Sequence, residues 1–206
     1  MTPRAPALPP RERRLALIEA TLPLLHEHGR AVTTRQIADA AGVAEGTIFR
    51  VFTSKDELVD EAVIHAFRSG TFVTELETVD RDLPLRERLI EIARLLQERF
   101  ISSFGLIRAL GMMGPPDAVK ADHDRRRDWR AHVAYAITAL IEPDAELLRV
   151  PPAEVTRVLR LLVFAGSHAE ITDGELLSPT EIVDIVLVGL LADPVAENPT
   201  VLKEKS

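Results

Sequence analysis

The fold is decided by residues 33–52, TTRQIADAAGVAEGTIFRVF, which have the pattern of two short helices joined by a turn. Gly42 stands where the chain must reverse, because glycine adopts the positive φ that a tight interhelical turn needs. The apolar positions of the pattern are Ile37, Ala38, Val43 and Ile48. A motif of this kind usually places its second helix in the major groove of DNA. The segment therefore predicts a DNA-binding helix-turn-helix, with an ordinary helical hairpin as the alternative.

Two capping patterns mark where helices begin on either side of this motif. Thr33 is followed three residues later by Gln36, and Ser54 is followed three residues later by Glu57. In a capping box the first side chain accepts a hydrogen bond from the backbone of the third helical residue, whose own side chain reaches back. The two patterns predict that one helix begins after Thr33 and that another begins near Lys55.

The segment GVAEGTIFRVFTSKDEL, residues 42–58, resembles the helix-turn-helix and following helix of the tetracycline-repressor-type (TetR) family. The similarity rests on the pairs Gly42-Val43 and Gly46-Thr47, on Phe49, and on the run from Phe52 to Glu57. Its close part covers roughly residues 15–62. The resemblance implies an all-helical homodimer that represses transcription and releases DNA when a small molecule binds.

The resemblance also assigns contacts to double-stranded DNA. Thr47 and Arg50 are expected to contact base edges or phosphate, since arginine can bind guanine through two hydrogen bonds. Arg35 and Lys55, with the two threonines that precede Arg35, are expected near phosphates, which position a protein without reading sequence. A cap-only role for Thr33 and a merely solvated Arg50 are the alternatives. The expected DNA-binding residues are Thr33, Thr34, Arg35, Glu45, Gly46, Thr47, Phe49, Arg50 and Lys55.

Four positions of the motif depart from the family pattern. Phe49 stands where the family often has tyrosine, and Val51 stands where a polar residue is frequent. Ala44 replaces a common serine cap, at a cost near 1 kcal/mol. Glu45 places a negative charge close to the expected DNA groove. These changes keep open a second hypothesis, in which the chain is a helical dimeric module that binds a ligand or a protein and has lost DNA binding.

The charge of the chain is unevenly distributed. The 206 residues carry a net charge of −7, but the first 56 residues hold eight Lys/Arg and six Asp/Glu, whereas the remainder carries a net charge of −9. A mildly basic N-terminal segment followed by an acidic remainder is compatible with local DNA contact, because the distribution of charge matters more than its total. It also predicts modest non-specific affinity for DNA, which depends on phosphate neutralisation.

Several function classes are not expected from this composition. The chain has no cysteine, which excludes disulfides, cysteine metal sites and thiol catalysis. No Ser-His-Asp grouping or metal-ligand spacing stands out, so neither an enzyme, a cofactor nor a bound metal is predicted. The apolar runs are too short to cross a bilayer, and no signal-peptide core precedes the first helix. We therefore expect a cytoplasmic protein without membrane contact.

Hydrophobic periodicity predicts an all-α chain of about nine helices. A Pro-rich arm, residues 1–9, is expected to be disordered and to precede a helix-turn-helix domain over residues 10–54. A helix over residues 55–78 is expected to connect this domain to a helical effector-binding and dimerisation domain, which together with that helix covers residues 55–192. Residues 193–206 are expected to form a flexible tail.

The last two predicted helices are apolar on nearly all sides. Between Ile182 and Leu191 only Asp184 is charged, and a helix that is apolar all round must be buried all round. A homodimer, as in the TetR family, would bury them, and its two-fold symmetry would imply a palindromic operator with half-sites ~34 Å or a multiple apart. A helix pair buried in its own domain is the alternative. The expected interface residues are Leu159, Leu162, Val163, Gly166, Ile182, Ile185, Val186 and Gly189.

In the TetR family the effector site lies among the central helices. A small-molecule effector that is largely apolar would suit a pocket of aromatic and methionine side chains, since such pockets carry few polar groups. For each of these residues, an ordinary role in the core is the alternative, and for His168 the alternative is a core or interface histidine. The expected ligand-binding residues are Phe100, Phe104, Met112, Met113, Trp129 and His168.

Overall fold

The computed structural model describes residues 9–68, 71–120 and 123–190, and over these residues it is all-helical with no β-strand. The predicted fold class is confirmed. The α-helices of the described residues are α1 (Pro10–His28), α2 (Thr34–Ala40), α3 (Lys55–Arg68), α4 (Thr71–Glu77), α5 (Leu85–Ala109), α6 (Asp117–Lys120), α7 (His123–Ile141), α8 (Pro152–Gly166) and α9 (Pro179–Leu190). Three 3-10 helices cover Gly29–Ala31, Glu45–Arg50 and Glu142–Leu147. The predicted arm, up to residue 8, and the predicted tail lie outside the described residues.

The chain divides into two compact units, and it passes from one to the other between α3 and α4, within α5 and within α7. The N-terminal unit comprises Met1–Ser69 and Ser102–Arg126, and the C-terminal unit comprises Gly70–Ile101 and Arg127–Ser206. The sequence places the end of the first domain at residue 54, whereas α3 belongs to the N-terminal unit. Its apolar side chains enter the core of that unit, namely Leu58, Val59, Ala62 and Val63.

The core of the N-terminal unit joins α1, α2, α3 and the end of α5. α1 contributes Leu17, Ile18 and Leu25, which lie on one helix face, whereas Leu15 is exposed. Ile37 and Ile48 of the helix-turn-helix are fully buried in the same core, together with Phe52 and Leu106. Burial of such a side chain stabilises a fold by about 1.5–3 kcal/mol, so these residues fix the motif on α1.

The core of the C-terminal unit is formed by the apolar faces of α4, α5, α7, α8 and α9. Arg88 is the charged group within it, at 3% exposure, and its guanidinium donates to the carboxylate of Asp144 and to the main-chain carbonyl of Arg81. A buried charge needs such partners, because an unpaired one is costly to desolvate. This pair therefore ties the 3-10 helix Glu142–Leu147 to the start of α5.

One helix boundary differs from the sequence prediction. The helix expected over residues 55–78 is two helices, α3 and α4, whereas α5 is continuous from Leu85 to Ala109. The serines at 102 and 103 do not interrupt α5, since neither proline nor a turn signal accompanies them. α8 ends at Gly166, and Ser167 Oγ donates to the carbonyl of Val163 at its last turn.

Candidate nucleic-acid interface

Backbone geometry fixes both ends of the first helix of the motif, α2. Thr33 Oγ1 accepts a 3.2 Å hydrogen bond from the backbone N–H of Gln36, whose Oε1 accepts from the N–H of Thr33 at 2.8 Å. Gly42 has a φ of 65°, and the N–H of Val43 donates to the carbonyl of Ala38 at 3.0 Å. The predicted capping box and the predicted positive φ are both confirmed.

The start of α3 follows the predicted pattern in part. Ser54 Oγ accepts from the N–H of Glu57 at 3.1 Å, which confirms the cap. The carboxylate of Glu57, however, accepts both the N–H and the hydroxyl of Thr53 at 2.6 Å, and it does not return to Ser54. Thr53 offers two donors to one oxygen, which explains the preference. The hydroxyl and N–H of Thr53, with the nearby Arg14, hold the pKa of Glu57 below its ordinary value.

The second helix of the motif is the 3-10 helix Glu45–Arg50, here named the recognition segment. Ile48 is fully buried and anchors the segment in the core, whereas Phe49 is 55% exposed. Thr47 is half-buried, and the remaining side of the segment is exposed at Glu45, Gly46, Phe49 and Arg50. The segment therefore presents an apolar, a cationic and an anionic side chain outward from a single buried anchor, and Gly46 adds no side chain.

The cations of the motif fall into two groups. Arg35 and Arg50 are exposed, and no described residue forms an ion pair with either. Lys55 Nζ instead donates to the carbonyls of Arg30 and Val32 at 3.0 and 3.1 Å, which leaves one of its three N–H groups. Arg30 is paired with Asp60 at 2.8 Å. Within the motif, Arg35 and Arg50 are thus the guanidinium groups available to an anionic partner.

Glu45, the first residue of the recognition segment, is held by α2. The hydroxyl of Thr34 donates to Glu45 Oε1 at 2.5 Å. This hydrogen bond occupies one carboxylate oxygen of Glu45 and the hydroxyl of Thr34, a residue that the sequence predicts to contact phosphate. It links the two helices of the motif on their exposed side.

Arg14 of α1 holds the far end of the recognition segment, and sequence analysis did not identify it. Its Nη1 donates to the carbonyl of Val51 at 3.0 Å, and its Nη2 lies 3.3 Å from Glu57 and 2.7 Å from Glu61. The guanidinium also stacks over the ring of Phe52, 4.2 Å from its centroid. The four partners of this guanidinium lie 37 to 47 residues further along the chain, so no local pattern marks the contact.

Comparison with known proteins places this geometry in a family. The profile described as "Bacterial regulatory proteins, tetR family" matches residues 17–62, which contain α2, the recognition segment and the first half of α3. Residues 17–62 therefore form a helix-turn-helix segment of the tetR type. The HTH-type transcriptional repressor KstR2 of Mycobacterium tuberculosis is 36% identical over 96 residues. The match covers 46% of this chain and 44% of KstR2, so the chain spans less than half the length of this curated relative.

Solved tetR-family structures share the fold over most of the chain. A TetR transcription regulator from Haloarcula marismortui superposes with a TM-score of 0.57 at 22% identity, over 88% of this chain and 99% of that one. A SmeT–triclosan complex superposes with a TM-score of 0.53 at 19% identity, over 95% and 99%. SmeT is the repressor of a multidrug efflux pump of Stenotrophomonas maltophilia. These similarities establish the tetR-family fold beyond the matched helix-turn-helix.

The predicted effector residues are distributed over both units of the chain. In the C-terminal unit, the rings of Phe100 and Phe164 meet edge to face with centroids 5.3 Å apart, and Phe164 lies 6.4 Å from the ring of His168. Trp129 packs against the core of the same unit. The N-terminal unit contains the other three predicted residues, Phe104, Met112 and Met113.

A surface pocket of about 290 Å³ lies within the N-terminal unit. It is lined by Arg30, Asp60, Val63, Ile64, Met112, Pro116 and Ala118. Met112 is the one predicted effector residue in its lining, and Met113 is fully exposed. The ion pair of Arg30 and Asp60 forms the polar part of the wall.

The apolar residues of α8 and α9 form two sets, one buried and one exposed. Most predicted interface residues are buried in the core of their own unit, namely Leu159, Val163, Gly166, Ile182 and Val186. Leu162 is half-buried, Ile185 is exposed, and the packing of Gly189 lies outside what the structure describes. The exposed apolar face instead comprises Leu161, Phe164, Ile185 and Val188, and we name this set the α8–α9 face.

Among the described residues there is neither a membrane-spanning helix nor a cluster of metal-binding side chains. No helix among them is long and apolar enough to cross a membrane. Within the same part of the chain, no group of three or more His, Cys, Asp or Glu side chains is arranged to hold a metal ion.

Proposed function

We propose that this chain is a DNA-binding transcriptional regulator, a cytoplasmic repressor whose recognition segment enters the major groove. The observation that carries the proposal is the outward face of that segment, where Arg50 is exposed and unpaired beside Phe49. Its buried anchor, Ile48, and the Arg14 contact to Val51 hold the segment in one position before any partner arrives. Such preorganisation lowers the entropic cost of binding.

Several groups of the motif would have a chemical partner on DNA. Arg50 would bind guanine or a phosphate, and Phe49 would pack against a thymine methyl group, which offers an apolar contact in the major groove. Arg35 would bind a phosphate and set the register of the motif. Gly46 adds no side chain, so the backbone could approach the groove wall closely. Lys55 would contribute only its one remaining N–H, because two carbonyls already bind its ammonium group.

We propose that two copies associate through the α8–α9 face. An apolar set that stays exposed on adjacent helices of one unit is unfavourable in water, and contact with a second copy would bury it. Leu161 and Phe164 lie on one helix face of α8, and Ile185 and Val188 lie on one face of α9. A two-fold symmetric dimer would present two recognition segments and would bind a palindromic operator.

We further propose that a small molecule releases the operator. KstR2 is by name a transcriptional repressor, and SmeT has been solved with triclosan, a small organic molecule. A ligand can shift the protein away from its DNA-binding state only by its difference in affinity for the two states. The proposal therefore requires that ligand binding and operator binding weaken each other by the same factor.

A selection from fragmented genomic DNA tests the proposal. Purified protein is incubated with the fragments at ~150 mM salt, where non-specific binding is weak, and the recovered DNA is sequenced. Enrichment of a two-fold symmetric sequence supports a dimeric regulator. Protein stripped of bound ligand by refolding is tested in parallel, since an occupied effector site would also prevent enrichment. No enrichment with either preparation would favour the helical module that has lost DNA binding.

A further inference from the structure

One guanidinium of the C-terminal unit lies over two aromatic rings. The Cζ atom of Arg99, on α5, is 4.9 Å from the ring centroid of Trp129 and 5.6 Å from that of Phe72. Phe72 is fully buried, and Arg99 and Trp129 are half-buried. A cation–π contact of this kind stabilises the cation, but it uses none of the five N–H donors.

Arg99 differs in this respect from the other arginines of α5 in the same unit. Arg88 donates to a carboxylate and a carbonyl, and Arg94 is paired with Glu91 and Glu98. No hydrogen bond or ion pair joins Arg99 to any described residue. Burial lowers the pKa of Arg99, and the charge of Glu75 opposes this without pairing with it. The group nevertheless stays protonated, since the pKa of arginine is far above neutrality.

We propose that Arg99 binds the oxyanion of an organic acid effector, a carboxylate or phosphate attached to an apolar body. This inference rests on the proposed function, because it names the ligand class of the effector site. A guanidinium donates two parallel hydrogen bonds to either oxyanion. The rings of Phe72 and Trp129 lie within 5.6 Å of the guanidinium carbon and would shield part of the resulting pair from water.

The surroundings favour an apolar body behind the charged group. Phe100, which follows Arg99 on α5, packs against the apolar core of the unit and against the ring of Phe164. An ion without an apolar part would gain nothing from these rings, since the hydrophobic contribution scales with the apolar area removed from water. The acid is therefore expected to bind more tightly than inorganic phosphate alone.

The single tryptophan of the chain gives a direct measurement. Trp129 stacks on Arg99, so its fluorescence should change when an anion binds there. The protein is titrated with a panel of aliphatic carboxylates and alkyl phosphates, each matched with the uncharged primary amide of the same chain, and with inorganic phosphate. We expect at least one acid to bind at least tenfold more tightly than its amide. Equal affinity of every acid and its amide, or no response to any acid, would overturn the proposal.

Three variants locate the site. Arg99→Met should weaken acid binding at least tenfold, while Arg94→Met, five residues earlier on the same helix, should leave it unchanged. Glu75→Gln should strengthen acid binding, because it removes a negative charge near the guanidinium. An unchanged affinity in Arg99→Met, with the circular dichroism of a folded helical protein, would overturn the assignment. If that variant does not fold, the comparison of acid and amide binding to the wild-type protein still tests the proposal.

The titration contains no DNA, so it fails or succeeds independently of the proposed function. Acid binding without operator binding would contradict the regulator and retain the site. Operator binding that no acid of the panel weakens, combined with a flat fluorescence titration, would contradict the site and retain the regulator.

Discussion

The guanidinium of Arg14 donates a 3.0 Å hydrogen bond to the carbonyl of Val51, the residue that directly follows the recognition segment. The same group binds Glu57 and Glu61 of α3 and stacks on Phe52. We predict that Arg14→Met destabilises the protein by about 1–3 kcal/mol, the range for losing hydrogen bonds to a charged group. Urea denaturation measures this change, and operator affinity should fall further than stability alone explains.

Arg14→Lys is the matched control for that variant. A lysine keeps the charge and can reach one carboxylate, but it lacks the planar fork that serves Val51 and α3 together. It should therefore recover part of the stability and less of the operator affinity. Full recovery of both by lysine would show that only the charge at this position matters.

Glu57 should make stability depend on pH in the acid range. Its hydrogen bonds from Thr53 lower its folded-state pKa beneath the ordinary value of 4.5. The stabilisation is therefore present above pH 4.5 and is lost as the pH falls through the lowered pKa. Thermal melts from pH 6 to pH 3 should show a shallower loss of stability in Glu57→Gln than in the wild-type protein. Glu19→Gln, at an exposed position on α1, should follow the wild-type curve.

Two glycines with positive φ should respond differently to alanine. Gly42, at 65°, has open space around an added Cβ, so Gly42→Ala should cost about 1–2 kcal/mol for the left-handed backbone. Gly29, at 55°, would place a Cβ 2.4 Å from the carbonyl oxygen of Ala109, so Gly29→Ala should cost about 1–3 kcal/mol more. Chemical denaturation of both variants gives the comparison. A smaller loss in Gly29→Ala would show that α1 and α5 move apart easily.

The α8–α9 face can be tested through the oligomeric state. Leu161, at 56% exposure, and Val188, at 75%, should tolerate polar substitution in the folded unit but not in an interface. We predict that Leu161→Glu converts a dimer into a folded monomer in analytical ultracentrifugation, because a dimer would bury the charge without a partner. Leu147→Glu, at an exposed apolar position outside α8 and α9, should remain dimeric. A dimeric Leu161→Glu would assign the interface elsewhere.

Features that depend on neighbouring residues could be predicted from the sequence. The capping box at Thr33, the turn at Gly42 and the start of α3 each follow from side-chain and backbone chemistry within four residues. The profile match over residues 17–62 covers the same local features. Hydrophobic spacing predicts that the elements are helices and roughly how many there are. Spacing alone does not distinguish a 3-10 helix from an α-helix, and it does not show that α5 is one continuous helix.

Contacts between distant segments could not be predicted in the same way. Arg14 stands in the run RERR, where nothing separates it from its neighbours before α1 and α3 pack together. Periodicity showed that α8 is apolar, but it could not tell that Leu159 enters the core of its own unit while Leu161 faces outward. From the sequence, Lys55 is expected near a phosphate, but in the structure its ammonium group already donates to the carbonyls of Arg30 and Val32.

The central claim is that the recognition segment reads DNA through Arg50. The direct test is titration of the palindrome recovered from genomic selection with wild-type protein, Arg50→Ala and Arg108→Ala, an exposed arginine of α5 outside the motif. We expect Arg50→Ala to lose about 1–3 kcal/mol of binding free energy with unchanged stability, whereas Arg108→Ala should bind as the wild-type protein does. Equal affinity of wild-type protein and Arg50→Ala would contradict it.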